Sequence, residues 1–219
     1  MPRDGHPRAR QAAKLARKEG KRPAYDRILI VCEGSKTEPL YLHDIRKQLR
    51  IPTAHINVIH SVNGTEPRQV VDSAEQEFLT SKNFDLVIAV FDRDDHLTYN
   101  DALLRAAALD QTLKNRDRKL VSFKAVPSVP CFDLWILLHF QDIHAFWHRD
   151  DVIAAVSIAG RLPGYSKGST GIYAKTEDRI PEATARAEYL RTQFNSATGT
   201  DPYTDMDWLV GKLRSLSGR

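Results

Sequence analysis

Two short, almost wholly apolar runs, each ending in acid, constrain this chain more than any other feature. Ile28-Leu-Ile-Val-Cys32 stops at Glu33-Gly34, and Phe84–Phe91 stops at Asp92-Arg-Asp-Asp-His96. A continuous β-branched run of this length reads as a strand buried on both faces, the condition of a parallel sheet covered by helices on either side. The intervening segments have helical periodicity. Thr37 can cap a helix that tolerates Pro39 in its first turn and carries the stripe Leu42, Ile45, Leu49. His55–Ser61 reads as a second strand and Asn63-Gly64 as a turn. Thr65 then caps a helix with Val70, Val71, Ala74, Phe78 and Leu79 on one face. An Ala- and Leu-rich helix over about 99–114 leads to a fourth strand over Lys119–Ala125. Strands alternating with helices predict an α/β fold with a mainly parallel four-stranded sheet flanked by helices.

Beyond residue 126 the pattern changes. Pro127-Ser-Val-Pro130 breaks the chain, and helices are expected over Cys131–Phe140, Asp150–Ala159, Pro181–Phe194 and Asp205–Leu216. A loop with Gly160, Gly164, Gly168 and Gly171 lies among them. The expected organisation is a basic, flexible arm over 1–27, an α/β core over 28–126, and a helical C-terminal portion over 127–219 packed on that core. The long loops argue against independent folding of the last part.

Charge is concentrated in the arm. The 219 residues carry 32 Lys and Arg against 28 Asp and Glu, a net +4. Residues 1–27 hold nine basic and three acidic residues, a surplus of six charges, which leaves residues 28–219 at −2. Arg8, Arg10, Lys14, Arg17, Lys18, Lys21 and Arg22 form a patch that attracts phosphate backbones by counterion release, without reading sequence. A solubilising tail has the same composition, so the arm points to nucleic acid only if the body gives a second reason. No apolar run approaches membrane-spanning length, and the charged start does not look like a secretory signal. Two cysteines, Cys32 and Cys131, make no disulfide framework and are too far apart in sequence for a zinc site, which suggests a cytoplasmic protein.

In open parallel sheets, ligands bind beyond the carboxyl ends of the strands. Adjacent strands lie about 4.8 Å apart, so neighbouring first and third strands would bring Glu33, Asp92 and Asp94 together. Crowded carboxylates repel, and a hard divalent cation, Mg²⁺ or Mn²⁺, relieves the repulsion and can clamp a phosphate. Lys167, in the glycine-rich loop, is the candidate for neutralising charge on phosphorus, with Lys175 next. His96 is either an acid/base beside the site or a loop histidine bonded to Asp94. Asp133 either supports a second metal or caps a helix. Glu38 fits the first turn of a helix, where negative charge is favourable.

Ile30-Val-Cys-Glu-Gly34 with Thr37-Glu-Pro39 and Tyr41, then Phe91-Asp-Arg-Asp-Asp-His96, then Pro130-Cys-Phe-Asp-Leu-Trp-Ile-Leu-Leu-His-Phe140, resemble the RloB family over about 28–210. That family belongs to the TOPRIM superfamily, shared by primases, topoisomerases and overcoming-lysogenisation-defect nucleases. The chain has Asp133 where the family usually has Glu, and Asp201-Pro-Tyr-Thr204 where Asn-Pro-Ser/Thr is common. The resemblance implies Glu33 as general acid/base or metal ligand and an Asp92/Asp94 pair for Mg²⁺, and with them metal-assisted phosphodiester hydrolysis, Asp92 and Asp94 holding the metal and Glu33 activating water or binding a second ion. It also implies a nuclease acting on DNA or RNA, tRNA included, in phage defence by abortive infection. A separate ATPase subunit is the implied partner, since the chain has no phosphate-binding Gly-x-x-x-x-Gly-Lys-Ser/Thr loop. The chief alternative is a non-catalytic metal- and nucleic-acid-binding adaptor; nucleotidyl transfer of the primase kind is a weaker one.

Overall fold

The computed structural model describes residues 26–158, 160–194 and 202–217. The strands are β1 (Ile28–Cys32), β2 (Ile56–His60), β3 (Leu86–Asp92), β4 (Ser122–Val129) and β5 (Tyr203–Thr204). They form one sheet in the order β2-β1-β3-β4-β5, parallel except for the β4–β5 pair. The α/β class expected from the sequence is present, but the sheet has five strands instead of four.

The helices are α1 (Thr37–Gln48), α2 (Pro67–Ser81), α3 (Tyr99–Leu109), α4 (Asp133–Leu138), α5 (Arg149–Val156), α6 (Ile172–Thr176), α7 (Ile180–Gln193) and α8 (Met206–Arg214). Alternation along the strands splits the core in two. Ile28, Ile30, Cys32, Ile88 and Val90 face a cluster with Leu42 and Ile45 of α1 and with residues of α4 to α8. Leu29, Val31, Val87, Ala89 and Phe91 face Val70, Ala74 and Phe78 of α2 and Ala102 and Ala106 of α3. The result is three layers, helices on a sheet on helices. The C-terminal helices share the α1 face, and Trp135 of α4, fully buried, donates its Nε1–H to the Tyr41 hydroxyl at 2.8 Å.

Several local expectations shift. Glu66, not Thr65, caps α2, through a capping box with Gln69, and Leu79 is exposed. Thr37 lies inside α1, whose cap position is Lys36. α3 ends at Leu109 because Asp110 turns back to accept the Phe123 N–H at 2.8 Å. β4 runs through Pro127, where the sequence predicts a break. Ser128 O accepts from Arg93 N on the β3 side, while Pro127 O accepts from Asp205 N on the other. Pro127 thus turns its missing N–H toward the outer edge, where no β3 ladder bond is lost. Among the described residues, no helix is long and apolar enough to cross a membrane.

The strand order places a switch point. α1 leaves β1 toward β2 on one face of the sheet, and α3 leaves β3 toward β4 on the other. Between two adjacent strands whose connections diverge, the carboxyl ends open into a crevice. Glu33 follows β1 and Asp92 ends β3.

Candidate functional site

The β1–β3 register pairs Cys32 with Val90, so Glu33 emerges beside the last residues of β3. Its N–H donates to Val90 O at 2.9 Å, and its Oε2 accepts the Asp92 N–H at 2.8 Å. The chain then leaves strand geometry. Asp94 has φ +38 and its N–H is held by Pro130 O at 3.0 Å, so Asp92 and Asp94 do not project alike from a continued strand. Asp92 is buried, with Oδ1 accepting the Phe132 N–H at 2.7 Å. Asp94 pairs through Oδ2 with Nη1 of Arg149, the first residue of α5, and its buried Oδ1 has no hydrogen-bond partner among the described residues.

A cleft of about 400 Å³ unites these groups. Four carboxylates line it, Glu33, Glu38, Asp92 and Asp94, together with His96 and three cations, Lys36, Arg149 and Lys167. Lys167 arrives because its loop docks on the start of α1, where Gly168 N–H donates to Thr37 Oγ1 at 3.2 Å. That N–H is therefore occupied within the fold. Lys175 lines a different hollow, with Arg161 and Tyr165. His96 pairs with Glu66 at 3.1 Å and lies 3.9 Å from Glu33, so it is not the loop histidine bonded to Asp94 that one sequence alternative describes. Asp133, buried, is the first residue of α4 and accepts the Tyr165 hydroxyl at 2.5 Å; it does not occupy the helix-cap position. Arg8, Arg10, Lys14, Arg17, Lys18, Lys21 and Arg22 lie outside the described residues.

Two lining residues have a role that the sequence pattern does not announce. Glu38 fits the first turn of α1, yet it is also buried in the cleft wall, and a Cβ at Gly34 would sit 3.2 Å from its Oε2. Its signals are its place five residues after Glu33 and its membership of the Thr37-Glu-Pro39 motif. Arg149 has no sequence signal, since it comes from a helix 55 residues beyond Asp94.

The electrostatics are those of buried acid, partly offset by cations. Burial pushes Glu33 up to about 7, against the pull of the Asp92 N–H, with the Glu38 charge adding to the rise. Burial, then the charges of Glu38, Glu33, Asp94 and Asp133, hold Asp92 well above the carboxylate range. Glu38 rises through burial, opposed by its backbone hydrogen bond and by Lys167. Asp94 also rises through burial, with Arg149 and then Lys167 opposing.

The donor set fits a divalent cation. Glu33, Asp94 and His96 each offer a ligand atom, and these atoms lie within 4.8 Å of one another. The partnerless Asp94 Oδ1 is an acceptor without a donor, as a ligand oxygen is before its ion binds. Asp92 and Asp133 line or underlie the cleft but are not in this three-residue group.

Residues 28–213 match the model of the family described as RloB-like protein. The chain belongs to the RloB-like family. No curated protein and no solved structure matches it. The RloB-like match spans β1 through most of α8, so the switch-point cleft and the C-terminal helices and loop that supply Arg149 and Lys167 all fall within it.

Proposed function

We propose that this RloB-like chain is a TOPRIM-type, Mg²⁺- or Mn²⁺-dependent nuclease that hydrolyses phosphodiester bonds of DNA or RNA. The observation that carries this reading is the meeting of four carboxylates and three cations at the switch point of the sheet. Acid alone would suit a metal, and base alone a phosphate; together they suit a phosphate held on a metal.

Glu33, Asp94 and His96 would hold the ion, and a divalent cation there supplies Lewis-acid polarisation of a phosphoryl oxygen and a more acidic water. The residues of the chain do the rest. Asp92 acts as a positioning residue, giving its N–H to Glu33 and tying the start of α4 to the cleft floor through Phe132. Water adds to phosphorus as the ester P–O bond breaks. Its proton passes to the Glu38 carboxylate, which lines the same cleft and is not one of the residues that would hold the ion. The leaving oxygen takes a proton from solvent. Lys167 offsets the charge that grows on the phosphoryl oxygens.

The biological setting proposed is antiviral defence in the cytoplasm, with a separate ATPase subunit as partner and the basic arm holding the nucleic-acid backbone. An adaptor that binds metal and nucleic acid without turnover is the second reading, favoured by the Arg149 contact that already neutralises Asp94.

The test is cleavage of labelled single-stranded and duplex DNA, RNA and tRNA with Mg²⁺ or Mn²⁺, alone and with an ATPase partner, against Asp92→Ala and Asp94→Asn. Cleavage by the parent and loss in both variants supports the nuclease. Metal binding without cleavage of any substrate supports the adaptor.

A further inference from the structure

Arg149 reaches the cleft from outside the strand ends that build it. Its Nη1 meets Asp94 Oδ2, its side chain is 35% exposed, and it lines the same cleft as Lys167 and Glu33. α5 behind it is anchored by buried Val152 and Val156, and at its start His148 Nδ1 accepts the Asp150 N–H at 3.3 Å. The guanidinium is thus delivered on a fixed helix end, while Asp94 is held from below by Pro130 O. A guanidinium has five N–H donors in a planar fork that matches a phosphate's oxygens. Asp94 engages Nη1 and leaves other donors for the cleft.

An ion and Arg149 compete for the charge of Asp94. Before an ion binds, Arg149 offsets the carboxylate; once an ion sits on Asp94, the guanidinium loses much of its attraction there and the nearest new anion is the substrate phosphate. We propose that Arg149 is a catalytic residue with two successive partners: Asp94 in the ion-free cleft, and a non-bridging phosphate oxygen of the substrate once the ion is in place. The inference rests on the nuclease reading for its second partner and on the observed ion pair for its first.

Full-length Arg149→Met and Arg149→Lys separate the two, with thermal melting to verify that both fold. Without nucleic acid, Mn²⁺ binding read by electron paramagnetic resonance should tighten about 2- to 5-fold in Arg149→Met, because a competing cation of ordinary surface strength has gone. With a short oligonucleotide and Ca²⁺, affinity should fall on the order of 10-fold, and single-turnover cleavage with Mg²⁺ on the order of 100-fold or more, with Arg149→Lys between. Weaker Mn²⁺ binding in Arg149→Met would mean that Arg149 only holds Asp94 in place, and would overturn the proposal. Unchanged oligonucleotide affinity would overturn its phosphate half. A parent that binds Mn²⁺ and oligonucleotide but cleaves nothing, alone or with an ATPase partner, sinks the nuclease reading and with it the catalytic role, whatever the two binding results.

Discussion

Two polar hollows among the described residues differ in chemistry, and the larger is the quieter. One, of about 1010 Å³, lies along the outer edge of β4 beside α3 and α8. Most of its charged groups have partners within the fold. Lys212 pairs with Asp26 at 3.1 Å, Asp110 accepts the Phe123 N–H, Asp85 accepts from Asn115 at 2.7 Å, and Lys124 sits 4.1 Å from the Trp208 ring centroid. The other, at the switch point, is less than half that volume, yet its acids press on one another and Asp94 Oδ1 has no donor among the described residues. Unrelieved charge, not volume, is what marks the switch-point cleft as the candidate site.

The widest expected difference is in activity. Glu33→Gln or Asp94→Asn should lower Mg²⁺-dependent cleavage by on the order of 10³-fold, whereas Asp110→Ala or Lys212→Ala in the β4-edge hollow should change it less than about 2-fold. Equal losses at both places in a gel-based cleavage assay would erase the contrast.

Next comes nucleic-acid binding. Deleting residues 1–24 should weaken oligonucleotide affinity by roughly 10-fold and flatten its salt dependence, by about 0.9 in log–log slope for each phosphate that the arm neutralises. A slope unchanged in a fluorescence titration removes the arm from binding and leaves the cleft alone.

Acidity should then mark the cleft in the ion-free protein. Glu33 titrates near 7 when folded and near 4.5 when unfolded, so the folded state binds its proton more tightly. That contribution is complete below about 4.5 and is lost as pH rises through about 7. Urea midpoints without metal should therefore fall between about pH 5 and pH 8, Glu33→Gln should shrink the fall, and Mg²⁺ should oppose it by binding the ionised form. A fall of the same size in Glu33→Gln would place its source elsewhere.

The smallest effects differ in sign. Glu38→Gln, which removes a buried charge among like charges, should stabilise the ion-free protein by about 1 kcal/mol, or roughly 2–4 °C in melting temperature. Asp110→Ala, which removes the acceptor of the Phe123 N–H, should destabilise it by about 1 kcal/mol. Calorimetry showing a loss in both would mean that the cleft carboxylates are as well matched as those of the β4 edge.

The same two regions show why sequence reading succeeds and fails. β1 and β3 are legible because burial on both faces leaves an unbroken apolar run, and their terminal acids are legible because a polar residue cannot continue such a run. β5 leaves no trace, since two residues have no period; it exists because Thr204 Oγ1 meets Ser128 Oγ at 3.0 Å and Arg191 clamps Asp207 and Thr204 O. Leu79 reads as core by spacing, yet it lies past the edge of the packed stripe and is 46% exposed.

What the amino-acid order determined by itself was local: the strands β1 to β3, most of the helices, and that β1 and β3 run into carboxylates. Periodicity and chain continuity act over a few residues, so they are written along the chain. The tertiary structure alone decided that Glu38 faces the cleft, that Asp92 spends Oδ1 on Phe132 while Asp94 Oδ1 has no hydrogen-bond partner among the described residues, and that α5 and the glycine loop bring Arg149 and Lys167 to the acids. Those facts depend on burial and on charge summed across segments as far apart as Asp94 and Arg149, 55 residues, which no local pattern records.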